Sequence, residues 1–245
     1  MSKHIGIVVC SAEGAALCYR TLCNEASALM GEHMHPEVSM HTYPLAEYLV
    51  HIRSGNWPEV AKLMLSSARK LADIGAELAI CPDNTIHQAF ALVAAHSPIP
   101  WLHIAEAVGG EARARGLRTL GILGTKYLMT GPVYSDQLRH VGIVCEIPEE
   151  ADRERIDAII FKELVNGVFK EESRLYFNSV IRKLKDRGCD GVVLGCTEIP
   201  LLVDGNDCPL PTLDSTRLLA RAALRESLAE DQPAPALYPR QRAGK

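Results

Sequence analysis

Two short stretches of this 245-residue chain concentrate reactive side chains. The first, CPDNTIHQ over residues 81–88, follows an apolar run and delivers a thiol, a carboxyl, an amide and a hydroxyl at Cys81, Asp83, Asn84 and Thr85. Thr85 followed by Gln88 fits a capping box, which predicts a helix opening at Thr85 with its free N–H groups turned back towards the strand end. Such an end favours an anion, and a carboxylate in particular. The second stretch, GCTEIPLL over residues 195–202, repeats the design. Gly195 allows close approach, Thr197 is the expected cap, and Cys196 stands at the predicted helix start, where a positive helix end lowers a thiol pKa. Among eight cysteines only Cys196 has that setting, and no C-x-x-C pair or Cys/His cluster has metal spacing. The others read as small buried hydrophobes in a reducing compartment.

The elements that must position these residues follow from the periodicity. Runs such as IGIVVC (5–10), EVSMHTY (37–43), ELAIC (77–81), PWLHIA (100–105), TLGILG (119–124), GIVCEI (142–147) and GVVLGC (191–196) read as strands. Between several of them lie segments apolar at three- and four-residue spacing, which predicts an α/β fold with parallel sheets and helices on both faces. The pattern occurs twice. IGIVVCS at residue 5 and LGILGTK at residue 120 are 115 apart, and the strand-end residues Asp83 and Cys196 are 113 apart. This predicts two pseudo-symmetric three-layer halves with one cleft between their facing strand ends. The expected division is 1–98 plus 210–230 for the first half, 99–209 for the second, and a proline-rich tail at 231–245. Asp214 is the expected cap of the last helix.

Composition excludes several functions. At 47% hydrophobic and a net charge of −4, the chain has an ordinary globular balance and no basic stripe for nucleic acid or an anionic membrane. No run approaches the roughly 18 apolar residues of a membrane span, and the N-terminus has no leader pattern, so a cytoplasmic location is expected.

GAELAICPDNTIH, LGTKYLMTGPVY, AIIFKELVNG and GVVLGCTEIPLLV resemble the aspartate/glutamate racemase superfamily on its aspartate racemase branch, in order over about residues 4–220. The resemblance implies a cofactor-independent isomerase, a homodimer, and an acidic amino acid as the small-molecule substrate. It also implies two proton carriers facing each other across the cleft. Cys196 matches the second family cysteine, whereas the first is replaced: the residue before Asn84-Thr85 is Asp83, and Cys81 lies two positions early. Asn84, Thr85, Thr125 and Thr197 match the residues that hold the substrate's α-carboxylate and amine, and Lys162 matches a lysine for the distal carboxylate. Ser11, His87 and Glu198 are further candidates, Ser11 in the unusual turn VVCSAEG and Glu198 as a support behind the helix start. The arginine that the family places near residues 44–50 is missing from PLAEYLV.

An unperturbed Asp is a weaker base than a thiolate by about 6 kcal/mol, and desolvation recovers part of that. Asp83 therefore suits the role of proton donor better than that of acceptor. Three alternatives stay open on sequence: Cys81 as the partner of Cys196, a single-thiol carbon-acid enzyme such as a decarboxylase or cis-trans isomerase, and a non-catalytic binder of acidic amino acids.

Overall fold

The computed structural model describes residues 2–203 and 205–229, so the expected tail at 231–245 lies outside the described residues. Strands β1 (Ile5–Val9), β2 (Val38–Thr42) and β3 (Leu78–Ile80) form one parallel sheet in the order β2-β1-β3. Strands β4 (Thr119–Leu123), β5 (Val144–Glu146), β6 (Gly191–Leu194) and β7 (Thr212–Asp214) form a second parallel sheet in the order β5-β4-β6-β7.

Alternation along the strands sends side chains to two different cores. Ile5, Ile7 and Val9 pack with α1 (Ala12–Met30) and α11 (Ser215–Leu228), whereas Val8 and Cys10 face the opposite layer, made by α2 (Leu45–Ser54) and α3 (Trp57–Asp73). In the second sheet, Val192 and Leu194 face α8 (Glu150–Lys162) and α9 (Glu171–Asp186). Val193 faces α5 (Ile104–Ala114) and α7 (Pro132–His140). Each fully buried Ile or Leu contributes roughly 1.5–3 kcal/mol, against about 0–1 for an exposed ion pair, so these apolar layers hold the fold.

The two halves repeat in register. Gly6 pairs with Ala79 between β1 and β3, and Gly121 pairs with Val192 between β4 and β6, positions 115 and 113 residues apart. Both glycines admit a helix: a Cβ at Gly6 would lie 3.2 Å from Leu71, and one at Gly121 would lie 2.8 Å from Leu184. Trp101 bridges Ala79 just as Thr212 pairs with Val192.

Three expectations change. The strand expected at 100–105 reduces to the Trp101 bridge, since Pro100 has no N–H to extend a ladder and His103 already caps α5 by accepting from the Ala105 amide. Residues 212–214 form an edge strand of the second sheet, so the return to the first half expected at residue 210 comes only after Asp214. Finally, α11 belongs to both halves, with Leu219 and Ala223 in the first core and Leu218 in the second. Asp214 caps α11 as expected, accepting from the Arg217 amide at 3.0 Å. Among the described residues no helix is long and apolar enough to cross a membrane.

Candidate active site

The carboxyl ends of β1, β3, β4 and β6 converge on one cavity of about 60 Å³, on a measure by which one water takes ~10–15 Å³. Asp83 and Cys196, the register-equivalent ends of β3 and β6, both line it. The space suits one small molecule between them.

Pro82 ends the ladder after Ile80 and turns the chain, separating the fates of Cys81 and Asp83. Cys81 is fully buried in the first half's core with Val8 and Met64, and it does not line the cavity. Asp83 does line it, and Asp83 Oδ2 accepts from the Cys10 amide at 2.9 Å. Burial pushes its carboxyl up to about 6 against the pull of the Cys10 N–H, and the Glu198 carboxylate adds to the rise. Asp83 thus keeps a proton far closer to neutrality than an exposed aspartate does.

Cys196 departs from expectation. The helix after it, α10 (Ile199–Leu202), has four residues and begins three positions later, so no long dipole ends on the sulfur. Burial instead pushes the thiol well up, and the Glu198 carboxylate beside it adds to the rise. Sγ donates to Glu198 Oε2 at 2.9 Å, while Glu198 Oε1 is buried with no hydrogen-bond partner among the described residues. The expected support residue is therefore in direct contact with the thiol.

The polar frame bridges the halves. Ser11 Oγ and Thr197 Oγ1 lie 3.1 Å apart, and Thr85 Oγ1 and Thr125 Oγ1 lie 2.8 Å apart, each pair joining one half to the other. Thr125 caps α6 (Lys126–Thr130) by accepting from the Leu128 amide. Neither Thr85 nor Thr197 caps a helix as expected. Thr85 instead opens a 3-10 turn whose preceding residue is Asn84, and Thr197 precedes α10 by two positions. Asn84 is held on both sides, accepting from Tyr134 Oη at 2.6 Å and donating to Ser215 Oγ at 3.0 Å.

Besides Cys81, two further candidates fall outside the cavity. His87 is buried behind the turn, its Nε2 bound to the Cys81 carbonyl at 2.9 Å and its ring stacked on Phe90. Burial lowers it to about 4, so it stays neutral and braces the loop. Lys162, the last residue of α8, is exposed, and the neighbours that line the cavity are Ile160, Phe161 and Val165. The helical turn that turns Phe161 inward carries Lys162 to the surface.

Sequence reasoning missed the apolar wall. Leu45, Leu49 and Ile52 of α2 all line the cavity, at the i, i+4, i+7 spacing of a single helix face. That spacing was legible in PLAEYLVHI. Cys10 also lines the cavity, its thiol pushed well up by burial and the nearby Asp83 carboxylate. Tyr134 and Ser215 had no local signal, because they reach Asn84 from positions distant in sequence.

Two parallel-sheet halves joined over paired strand ends define a two-domain α/β fold of the Asp/Glu racemase type. Residues 7–223 match the family described as Asp/Glu/Hydantoin racemase, and the chain belongs to that family. A candidate Asp/Glu racemase from Yersinia pestis is 31% identical and superposes with a TM-score of 0.82, over 92% of this chain and 100% of that one. An aspartate racemase homologue from Pyrococcus horikoshii OT3 is 29% identical at a TM-score of 0.77, over 92% and 99% of the two chains. Glutamate racemase from Francisella tularensis, solved with D-glutamate, shares the fold at 16% identity and a TM-score of 0.65, over 90% of this chain and 79% of that one. An uncharacterized protein from the pnlA 3′ region of Pectobacterium carotovorum is 28% identical over 89 residues, and the match spans 55% of its length.

Proposed function

We propose that this protein is a cofactor-independent amino-acid racemase or epimerase that moves the α-proton between Cys196 and Asp83. The observation that carries the reading is that these two residues, at register-equivalent strand ends of opposite halves, line one small cavity. Racemisation needs a proton taken from one face of Cα and returned to the other, with both carriers in near contact.

The groups divide the work as follows. Glu198 accepts the thiol proton through the existing hydrogen bond, and the Cys196 thiolate takes the Cα proton. The electron pair left on Cα delocalises into the substrate carboxylate, held at the Thr85–Thr125 and Ser11–Thr197 hydroxyl pairs. Protonated Asp83 then delivers its proton to the opposite face. The cycle leaves Glu198 protonated and Asp83 ionised, and exchange with solvent resets both.

The test is α-proton exchange in deuterated water, followed by NMR with both enantiomers of a panel of amino acids. Deuterium entry accompanied by inversion supports the reading. Deuterium entry without inversion would favour the single-thiol enzyme, which protonates one face only. Absence of exchange from the whole panel would sink proton transfer at this site.

A further inference from the structure

We infer that the side-chain end of this site selects an apolar substrate side chain and rejects a second carboxylate; the inference rests on the racemase reading and names its substrate class. The cavity is chemically divided. Its carboxyl, amide, hydroxyl and thiol groups gather at the strand ends, and the remaining wall is Tyr127 together with apolar side chains such as Leu49, Ile86, Ile160, Phe161 and Val165. None of the described lining residues is a lysine, arginine or histidine, whereas two, Asp83 and Glu198, are carboxylic acids.

An acidic side chain would need a cationic partner that this wall does not provide. A carboxylate moved from water to this apolar surface loses hydration without a compensating cation. The nearby cations are engaged or turned away. Lys126 Nζ pairs with Glu154 at 3.3 Å, and Lys162 and Arg53 are exposed and do not line the cavity. The substrate's α-carboxylate is different, since it meets threonine hydroxyls, and its α-ammonium complements the acids.

The wall also continues outward. Leu45 and Val165, from opposite halves, border both the cavity and an adjoining groove lined by Ala15, Met40, Tyr43 and Pro44. A branched or long apolar side chain anchored at the strand ends can extend past this pair into the groove. A short acidic one ends against leucine and phenylalanine.

Calorimetric binding to the unaltered protein tests the substrate class without requiring turnover, using both enantiomers of leucine, methionine, aspartate and glutamate. Leucine or methionine should bind roughly 100-fold more tightly than either acidic amino acid. Tighter or equal binding of aspartate or glutamate would overturn the inference, as would no binding by any of the four. In L49R, a half-buried helix position, the new guanidinium should narrow or reverse that preference, and an unchanged preference would count against the wall as its source. Binding of leucine or methionine with no α-proton exchange would leave the substrate class standing and defeat the racemase reading instead.

Discussion

The Cys196 thiol donates to one oxygen of Glu198 across 2.9 Å, while the other oxygen of that carboxylate is buried with no hydrogen-bond partner among the described residues. A thiol pushed up by burial is a poor source of thiolate unless a neighbouring group takes its proton. Glu198 is placed to do that, and its charge also makes a free thiolate costly while the carboxylate stays ionised. The contact therefore favours handing the proton over at the moment of reaction above storing a thiolate.

Glu198→Gln separates the two effects. Glutamine keeps a hydrogen-bond acceptor for the thiol but cannot take its proton, so exchange should fall roughly 10²–10⁴-fold at neutral pH. Loss of the negative charge should lower the thiol pKa, so iodoacetamide should alkylate Cys196 faster than in the parent. Slower exchange with faster alkylation is the expected pair of results. Unchanged exchange would mean that Cys196 works without Glu198.

Gly14 fixes the position of Thr197. A Cβ at residue 14 would fall 2.4 Å from Thr197 Cγ2, too close for the threonine to stay and keep its contact with Ser11. Gly14→Ala should cost about 1–3 kcal/mol of stability in denaturant melts and lower kcat/KM more than tenfold. A fully active variant would remove the Ser11–Thr197 pair from the binding frame.

The two-half α/β plan was legible because strand alternation, helical periodicity and the 115- and 113-residue offsets are local or repeating signals. The strand-end residues were legible for the same reason, and Asp83 and Cys196 do line one cavity. Helix starts were read less well. Pro82 and Pro200 sit beside turns that close as a 3-10 turn and a four-residue helix, so the dipole expected at Cys196 is missing, and its buried neighbour Glu198 governs the thiol instead. Residues such as Tyr134 and Ser215 reach Asn84 from 50 and 131 positions away, and local sequence carries no trace of such contacts.

Lys162 tests the corrected substrate end. Because its side chain is exposed and Phe161 faces the cavity, Lys162→Ala should leave KM within about twofold for every amino acid tested. Phe161→Ala should weaken leucine binding by roughly tenfold or more through lost apolar contact. A large KM increase confined to aspartate and glutamate in Lys162→Ala would restore the lysine to the site.

Asp83 links the chemistry to stability, and the sign follows from its raised pKa. Its folded value of about 6 lies above the reference of 3.8, chiefly because burial penalises the carboxylate. The stability contributed by the neutral carboxyl is therefore fully present below about pH 4 and is lost as pH rises through about 6. A difference of about two pKa units corresponds to roughly 3 kcal/mol. Asparagine imitates the neutral acid, so Asp83→Asn should gain up to about 3 kcal/mol over the parent between pH 4 and pH 7.5 in urea melts, while losing inversion of enantiomers. Parent inversion should fall above pH 6 as the donor loses its proton, even though exchange through Cys196 persists on one enantiomer. An equal stability difference at pH 4 and pH 7.5 would show an Asp83 with an ordinary carboxylate pKa, too acidic to serve as the donor.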